Sequence, residues 1–157
     1  MTPLEKKLTR LIKHIDHVRE NTRNLGFKLI ELGEVDFGIK LIAEGEHHDY
    51  SKFKGMEWDG LDQKDDGELL KISVKQHNRS NMHHPEYWGG IKNMPDLFIA
   101  EMVCDWKARS SEIGTDFKLW VTDEALKRFD YLNTDEVYKK IQRYTNLLLE
   151  QPLEQIK

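Results

Sequence analysis

Apolar residues recur at intervals of three and four along nearly every segment of this 157-residue chain. In the first segment the positions that share this spacing are Leu4, Leu8, Leu11, Ile12, Ile15 and Val18. Such spacing places apolar side chains on one face of an α-helix, and no segment shows the alternation of a half-buried strand. The sequence therefore predicts an all-α protein, a single-domain bundle of six to eight helices spanning residues 1–157.

Breaks in the apolar spacing, together with glycine and proline residues, predict where these helices begin and end. The first helix is expected to begin at Thr2-Pro3 and to end near 24–26, and a second to cover 27–32. The third lies within 37–53, residues 54–67 form a surface loop with at most a short helix, and the fourth covers 69–77. The remaining helices are expected from Pro95 to about Ser111, over 123–131 and over 134–150.

The charge balance limits the classes of partner. There are 24 basic and 28 acidic residues, for a net charge of −4, which lacks the basic surplus typical of proteins that bind extended nucleic acid. No apolar run approaches the ~20 residues that cross a bilayer, and the first ten residues lack a signal-peptide core. Cys104 is the only cysteine and is expected in the core. One thiol cannot form an internal disulfide, so we expect a cytoplasmic protein without a membrane partner.

Histidines form the most informative functional pattern. All seven fall within the first 84 residues, and several interleave with apolar helix stripes: His14, His17, His47, His48, His77, His83 and His84. Imidazoles and carboxylates are common ligands of transition metals, and helices hold such ligands in fixed directions. A histidine of the first helix, the pair His48-Asp49, His77, one of His83 and His84, and Asp105 could therefore converge inside the bundle.

The order of these residues resembles that of the HD-domain superfamily of metal-dependent phosphohydrolases, in its two-metal branch. The segments "HDYSK", "HNRSNMHHPEYW" and "EMVCDWKARS" are similar to a small HD-like family found in phage and bacterial genomes, and the resemblance spans about residues 14–110. It implies an HD-like helical bundle. The metal ligands that it implies are His17, His48, Asp49, His77, His84 and Asp105. His17 is preferred over His14, which lies three residues earlier on the same helical face, and His83 stays open as the alternative to His84.

The resemblance implies hydrolysis of a small phosphorylated substrate, a nucleotide by preference, through attack of a metal-bound hydroxide on phosphorus. One or two divalent ions are expected: Mn, Fe, Zn, Co or Ni, with Mg also compatible. Asp49 would bridge or orient the nucleophile, Lys52 would contact the anionic group, and His47 would protonate the leaving oxygen. Further substrate contacts are expected from Arg79, His83 and Trp88, and the sequence is compatible with a homodimer.

Three other functions fit the same pattern. An HD-type di-iron oxygenase would use the same ligand order, and a metal-stabilised nucleotide-binding protein would use it without turnover. A plain helical bundle without metal is the weakest alternative. Around the site, Glu101 is expected either to accept a hydrogen bond from a ligand histidine or to be exposed, while Glu57 is expected in an exposed loop and Trp106 in the core.

Overall fold

The computed structural model describes residues 1–61 and 67–151. Its α-helices are α1 (Pro3–Glu31), α2 (Val35–His47), α3 (Gly55–Gly60), α4 (Gly67–Ser80), α5 (Asp96–Ile113), α6 (Phe117–Leu119), α7 (Ala125–Phe129) and α8 (Glu136–Leu149). Short 3₁₀ turns lie at Tyr50–Phe53, Pro85–Trp88 and Ile91–Asn93. The described residues contain no strand, so the all-α prediction is confirmed. Residues 62–66 of the predicted loop and residues 152–157 of the predicted domain lie outside the described part of the chain.

Helix α5 lies at the centre of the bundle and packs against α1, α2 and α8. Its buried apolar residues include Ile99, Met102 and Val103, and Cys104 is buried among them, as predicted. Burial on several sides requires apolar residues around the helix rather than along one stripe. None of the helices in the described ranges combines the length and the apolar character that crossing a membrane requires.

Helix α1 begins as predicted but extends further. Thr2 Oγ1 accepts a hydrogen bond from the Glu5 amide, and Glu5 Oε2 accepts one from the Thr2 amide, which forms a capping box. The predicted break at 24–26 is wrong, because Gly26 lies inside the helix and serves packing. A Cβ atom on Gly38 of α2 would lie 2.5 Å from the Gly26 carbonyl oxygen, so the two glycines allow α1 and α2 to cross closely.

The predicted third helix ends earlier than expected, at His47. His48 leaves the helical conformation, with φ of −50° and ψ of 132°, and Asp49 has a left-handed backbone with φ of 57°. The His48-Asp49 pair therefore lies in a tight turn after α2 and not on the helix itself. A turn of this kind aims adjacent side chains in directions that a continuing helix could not give them.

The segments around α3 and α6 also differ from the prediction. Residues 55–60 form helix α3, and Glu57 within it is buried rather than exposed in a loop. The helix predicted over 123–131 begins earlier, at Phe117, and includes a π-helical stretch from Trp120 to Glu124 between α6 and α7.

Candidate metal centre

The carboxylate of Asp49 lies at the centre of a cluster of histidine side chains. Its Oδ2 atom is 3.4 Å from His14 Nε2 and 3.5 Å from His48 Nε2. Its Oδ1 atom is 3.2 Å from His77 Nε2 and 3.4 Å from His83 Nε2. Each oxygen of this one carboxylate therefore faces a different pair of imidazoles.

Two further residues complete these pairs. Asp105 Oδ1 lies 3.2 Å from His14 Nε2 and 3.8 Å from His48 Nε2. On the other side, His84 joins His77 and His83. Within each of the resulting triplets, His14–His48–Asp105 and His77–His83–His84, the potential ligand atoms lie within 4.8 Å of one another. The arrangement thus offers two adjacent positions for a cation, with Asp49 between them.

Glutamates orient three of the imidazoles, and two of them, Glu57 and Glu101, are buried. In each case Nδ1 of the ring donates a hydrogen bond to a glutamate carboxylate; the pairs are His14 with Glu112 at 3.0 Å, His48 with Glu101 at 2.9 Å and His77 with Glu57 at 2.7 Å. A carboxylate only accepts, so the proton on Nδ1 is fixed and Nε2 is left to face the centre. Metal-ligating histidines are held in this way.

Several polar atoms at the centre have no hydrogen-bond partner among the described residues. They are Nε2 of His48, His83 and His84, and Oδ1 of Asp49, all of them buried. An unpaired buried polar atom costs free energy, and native structures contain few of them. Divalent transition ions at the two positions would together accept the lone pairs of these four atoms, and a set of imidazoles and carboxylates suits Mn, Fe, Co, Ni or Zn. The residues present therefore fit a metal.

The pKa values at the centre indicate a demand for positive charge. Burial alone would lower the pKa of His14, but the carboxylates of Asp105 and Asp49 raise it to about 9. Burial likewise opposes protonation of His48, whose pKa Asp49 and the other acids raise to about 10. The same histidine–aspartate interactions lower the pKa values of Asp49 and Asp105, whereas burial would raise them. Protons on two histidines thus supply charge that a bound cation would supply instead.

His84 differs from these histidines. Burial, with the neighbouring His83, lowers the pKa of His84 to about 2 and keeps its ring neutral. A neutral ring whose Nε2 has no partner within the described ranges is in the form that binds a metal. His83 lies deeper in the structure and nearer to Asp49. The structure therefore brings both histidines to the centre, and His83 lies with the potential ligands rather than on the cavity wall where a substrate would contact it.

Lys52 lies at the edge of the centre. Its Nζ atom is 2.5 Å from Asp49 Oδ2. Burial would lower the pKa of Lys52, but Asp49 and Asp105 raise it, so the ammonium keeps its charge. A cavity of about 770 Å³ opens here, and Lys52, His14 and His84 lie on its wall. The centre can therefore be reached by a small molecule.

The structure places His14, and not His17, at the centre. His17 is partly exposed, and its Nδ1 atom lies 3.2 Å from Glu112 Oε1, at the side of the cluster. The preference for His17 is corrected for this geometric reason. Sequence spacing could not separate the two, because residues three apart share a helical face.

His47 and Arg79 do not reach the centre. His47 is the exposed last residue of α2, and its Nδ1 donates to the Ala43 carbonyl oxygen at 3.0 Å. Arg79 is exposed on α4, where two residues of separation from His77 correspond to a rotation of ~200°. The catalytic role expected for His47 and the substrate contact expected for Arg79 are not compatible with these positions.

Trp88 is also placed elsewhere. Its Nε1 donates to the Met82 carbonyl oxygen at 2.8 Å, and its ring packs against Phe98 with centroids 5.6 Å apart. Trp88 therefore packs on the core, which corrects its expected contact with substrate. Trp106 packs on the core as expected and also lines the cavity.

Sequence reasoning missed two functional candidates, Glu57 and Glu112. For Glu101, the acceptor role that was one of the two expectations matches its contact with His48. A signal for Glu112 existed, because Glu101, Asp105 and Glu112 recur at four and seven residues along α5 and so share a face. For Glu57 the sequence contains no comparable signal, since a short helix among polar residues resembles a loop.

Comparisons with known proteins identify a family. A family model matches residues 4–154, so the chain belongs to this family, whose description reads "Family of unknown function (DUF5662)". The search of curated proteins found no match. The search of solved structures also found none.

Proposed function

We propose that this protein is a metal-dependent phosphohydrolase that acts on a small phosphorylated substrate, with a nucleotide as the preferred candidate. The observation that carries the proposal is the arrangement around Asp49, whose two carboxylate oxygens face separate histidine pairs. The order of these residues along the chain also resembles that of HD-domain phosphohydrolases, a resemblance that supports the same reaction class.

Two sets of side chains would hold the ions. His14, His48 and Asp105 form one set and His77, His83 and His84 the other, with Asp49 shared between them. A bound divalent ion supplies an acidified water as nucleophile and positive charge for the phosphoryl oxygens.

The chain itself contributes orientation and charge. Glu57, Glu101 and Glu112 hold the imidazoles with Nε2 inward, so little reorganisation is needed when ligands and substrate meet. Lys52 keeps a positive charge beside Asp49 on the cavity wall, where it can bind a phosphoryl oxygen as the charge on that oxygen grows.

The test combines metal content with turnover. Protein purified without chelator should contain transition metal by elemental analysis and should release phosphate from members of a nucleotide set in the presence of Mn²⁺, Co²⁺, Fe²⁺ or Mg²⁺. Asp49→Asn should lose metal and reduce turnover by more than about 100-fold, because it removes the shared ligand charge. Asparagine tolerates the left-handed backbone at this position, so the fold should survive.

His47→Ala is the matched control, since this exposed residue directly precedes the His48-Asp49 pair. It should keep both metal and turnover. Full metal content and activity in Asp49→Asn would overturn the proposal. Metal with no turnover on any nucleotide would favour a binding protein.

A di-iron oxygenase is the second candidate, favoured by one observation. Two adjacent ligand sets that share a carboxylate also suit a pair of iron ions. Stoichiometric iron, O₂ uptake with a reduced sample and the absence of phosphate release would select it over hydrolysis.

A further inference from the structure

The wall of the cavity above the candidate metal centre carries a positive charge that the rest of the protein does not share. Among the described residues that line it, six are basic and two are acidic, although the whole chain has a net charge of −4. The six basic residues are Lys7, Arg10, Lys13, Lys52, Arg109 and Arg128. The acidic floor of the cavity suits cations, and its basic wall suits an anion.

The basic residues extend outward from the metal centre along two helices. On α1, Arg10 and Lys7 lie four and seven residues before His14, on the same face and up to about 10 Å along the helix axis. On α5, Arg109 lies one turn, about 6 Å, beyond Asp105. Lys52, deep in the cavity, is therefore followed by further cations toward the mouth.

Two of the outer cations have no carboxylate partner within the described ranges. No acidic side chain contacts Lys13 there. Arg128 is held by aromatic rings instead, with its guanidinium 5.9 Å from the Trp120 ring centroid and 5.4 Å from that of Phe129. Cation–π contacts position a guanidinium without neutralising its charge. Both residues thus carry charge that remains available to a ligand.

A further donor lies in the same wall. Trp120 lines the cavity at the start of the π-helical stretch, and its buried Nε1 has no hydrogen-bond partner among the described residues. An indole N–H can only donate, so it requires an acceptor such as a phosphate oxygen. π-Helical turns are frequent at functional sites because they displace a side chain from its regular helical position.

We propose that Lys13, Arg128 and Trp120 form a second anion subsite at the cavity mouth, which selects substrates that carry a chain of phosphates over those with a single phosphate. The inference rests on the proposed function for the position of the first phosphate, which would bind at the metal centre beside Lys52. The substrate class is then a polyphosphorylated molecule whose outer phosphates reach the mouth.

The test measures binding and needs no turnover. Orthophosphate, pyrophosphate and tripolyphosphate are titrated calorimetrically into the purified protein with excess MgCl₂. Affinity should rise with anion length. The double variant Lys13→Gln/Arg128→Gln should weaken tripolyphosphate binding on the order of tenfold and leave orthophosphate binding nearly unchanged. The single variant Arg128→Lys, with Lys13 unchanged, should retain most of the affinity for tripolyphosphate.

Lys127→Gln is the matched control, because it removes an equal charge one residue away, where Lys127 pairs with Asp123 at 2.9 Å and does not line the cavity. Absence of a length preference in the unmodified protein would overturn the inference, as would an equal loss in Lys127→Gln. A charge-dependent length preference without any turnover would keep the subsite and remove the phosphohydrolase. Turnover that is unchanged in Lys13→Gln/Arg128→Gln would keep the phosphohydrolase and remove the subsite.

Discussion

The backbone at Asp49 is the most constrained point of the candidate site. Its left-handed conformation costs a residue with a side chain some energy, although aspartate and asparagine tolerate it better than most. This conformation positions the side chain, because the turn directs the two oxygens of the buried carboxylate at separate histidine pairs. Strained residues of this kind concentrate at functional sites, which agrees with the central place given to Asp49.

The choice between His14 and His17 can be tested directly by substitution. His14→Gln should lower metal content to at most half, because His14 Nε2 lies 3.2 Å from Asp105 and 3.4 Å from Asp49. His17→Gln should bind metal nearly as the unmodified protein does, since the acidic contact of His17 in the described ranges is with Glu112 Oε1, behind His14, and not with Asp49 or Asp105. Elemental analysis after gel filtration measures both. The opposite ranking would restore His17 as the ligand.

The glutamates behind the imidazoles should affect metal affinity without contacting the ion. Glu57→Gln removes the negative charge that holds His77 through a 2.7 Å hydrogen bond, and Ser51 donates to the same carboxylate oxygen at 2.8 Å. Loss of such a partner typically weakens metal binding 10–100-fold, and we expect about tenfold here. Competition with a fluorescent chelator gives the dissociation constant.

Glu68→Gln provides the comparison for that substitution, because Glu68 is an exposed residue at the start of α4 that pairs with the exposed Lys71. It should leave the dissociation constant unchanged. If Glu57→Gln and Glu68→Gln have the same affinity, the hydrogen bond to His77 does not orient a ligand.

At the scale of elements, the crossing of α1 and α2 depends on glycine. Gly38→Ala should destabilise the protein by about 1–3 kcal/mol, because the new methyl group would lie 2.5 Å from the Gly26 carbonyl oxygen and force the helices apart. This cost outweighs the ~1 kcal/mol gain in helix propensity. Urea denaturation measures the difference. Gly67→Ala, where a Cβ meets nothing within 4 Å, should be neutral or stabilising.

The glycines also show what the sequence could predict of the fold. Apolar spacing and the capping residues correctly predict the start of α1 and the positions of α5 and α8, because those signals are local. Gly26 looks like a helix end in isolation, since its packing against Gly38 depends on a second helix. The end of α2 at His47 is not predicted for a related reason, because the hydropathy pattern does not indicate the left-handed turn at Asp49.

The candidate site divides in the same way. Residue type and order pointed to His48, Asp49, His77, His84 and Asp105, and the structure brings these together. The sequence does not predict features that depend on which way a side chain points. These are the selection of His14 over His17, the outward orientation of Arg79 and the burial of Glu57. Direction around a helix follows from packing, which a single sequence does not specify.

At the scale of the whole molecule, the candidate ligands connect distant parts of the chain. They come from α1, the turn after α2, α4, the turn at 83–84 and α5. Without a cation, several buried atoms of this cluster have no partner in the part of the chain that the structure describes. An ion at the centre would therefore join these distant parts of the chain and supply partners to the unpaired atoms, so the stability of the whole bundle should depend on it.

Metal removal should accordingly lower the unfolding temperature. A ligand present at about 1,000 times its dissociation constant stabilises the native state by about 4 kcal/mol. For a chain of this size each kcal/mol shifts the Tm by about 2–4 °C, so chelation should lower it by about 10 °C. Scanning calorimetry before chelation, after it and after restoring Mn²⁺ or Zn²⁺ measures the change. Asp49→Asn should have the lower Tm from the start and not respond to chelator. An unmodified protein that loses its metal with no change in Tm would show that the cation does not bind at this buried centre.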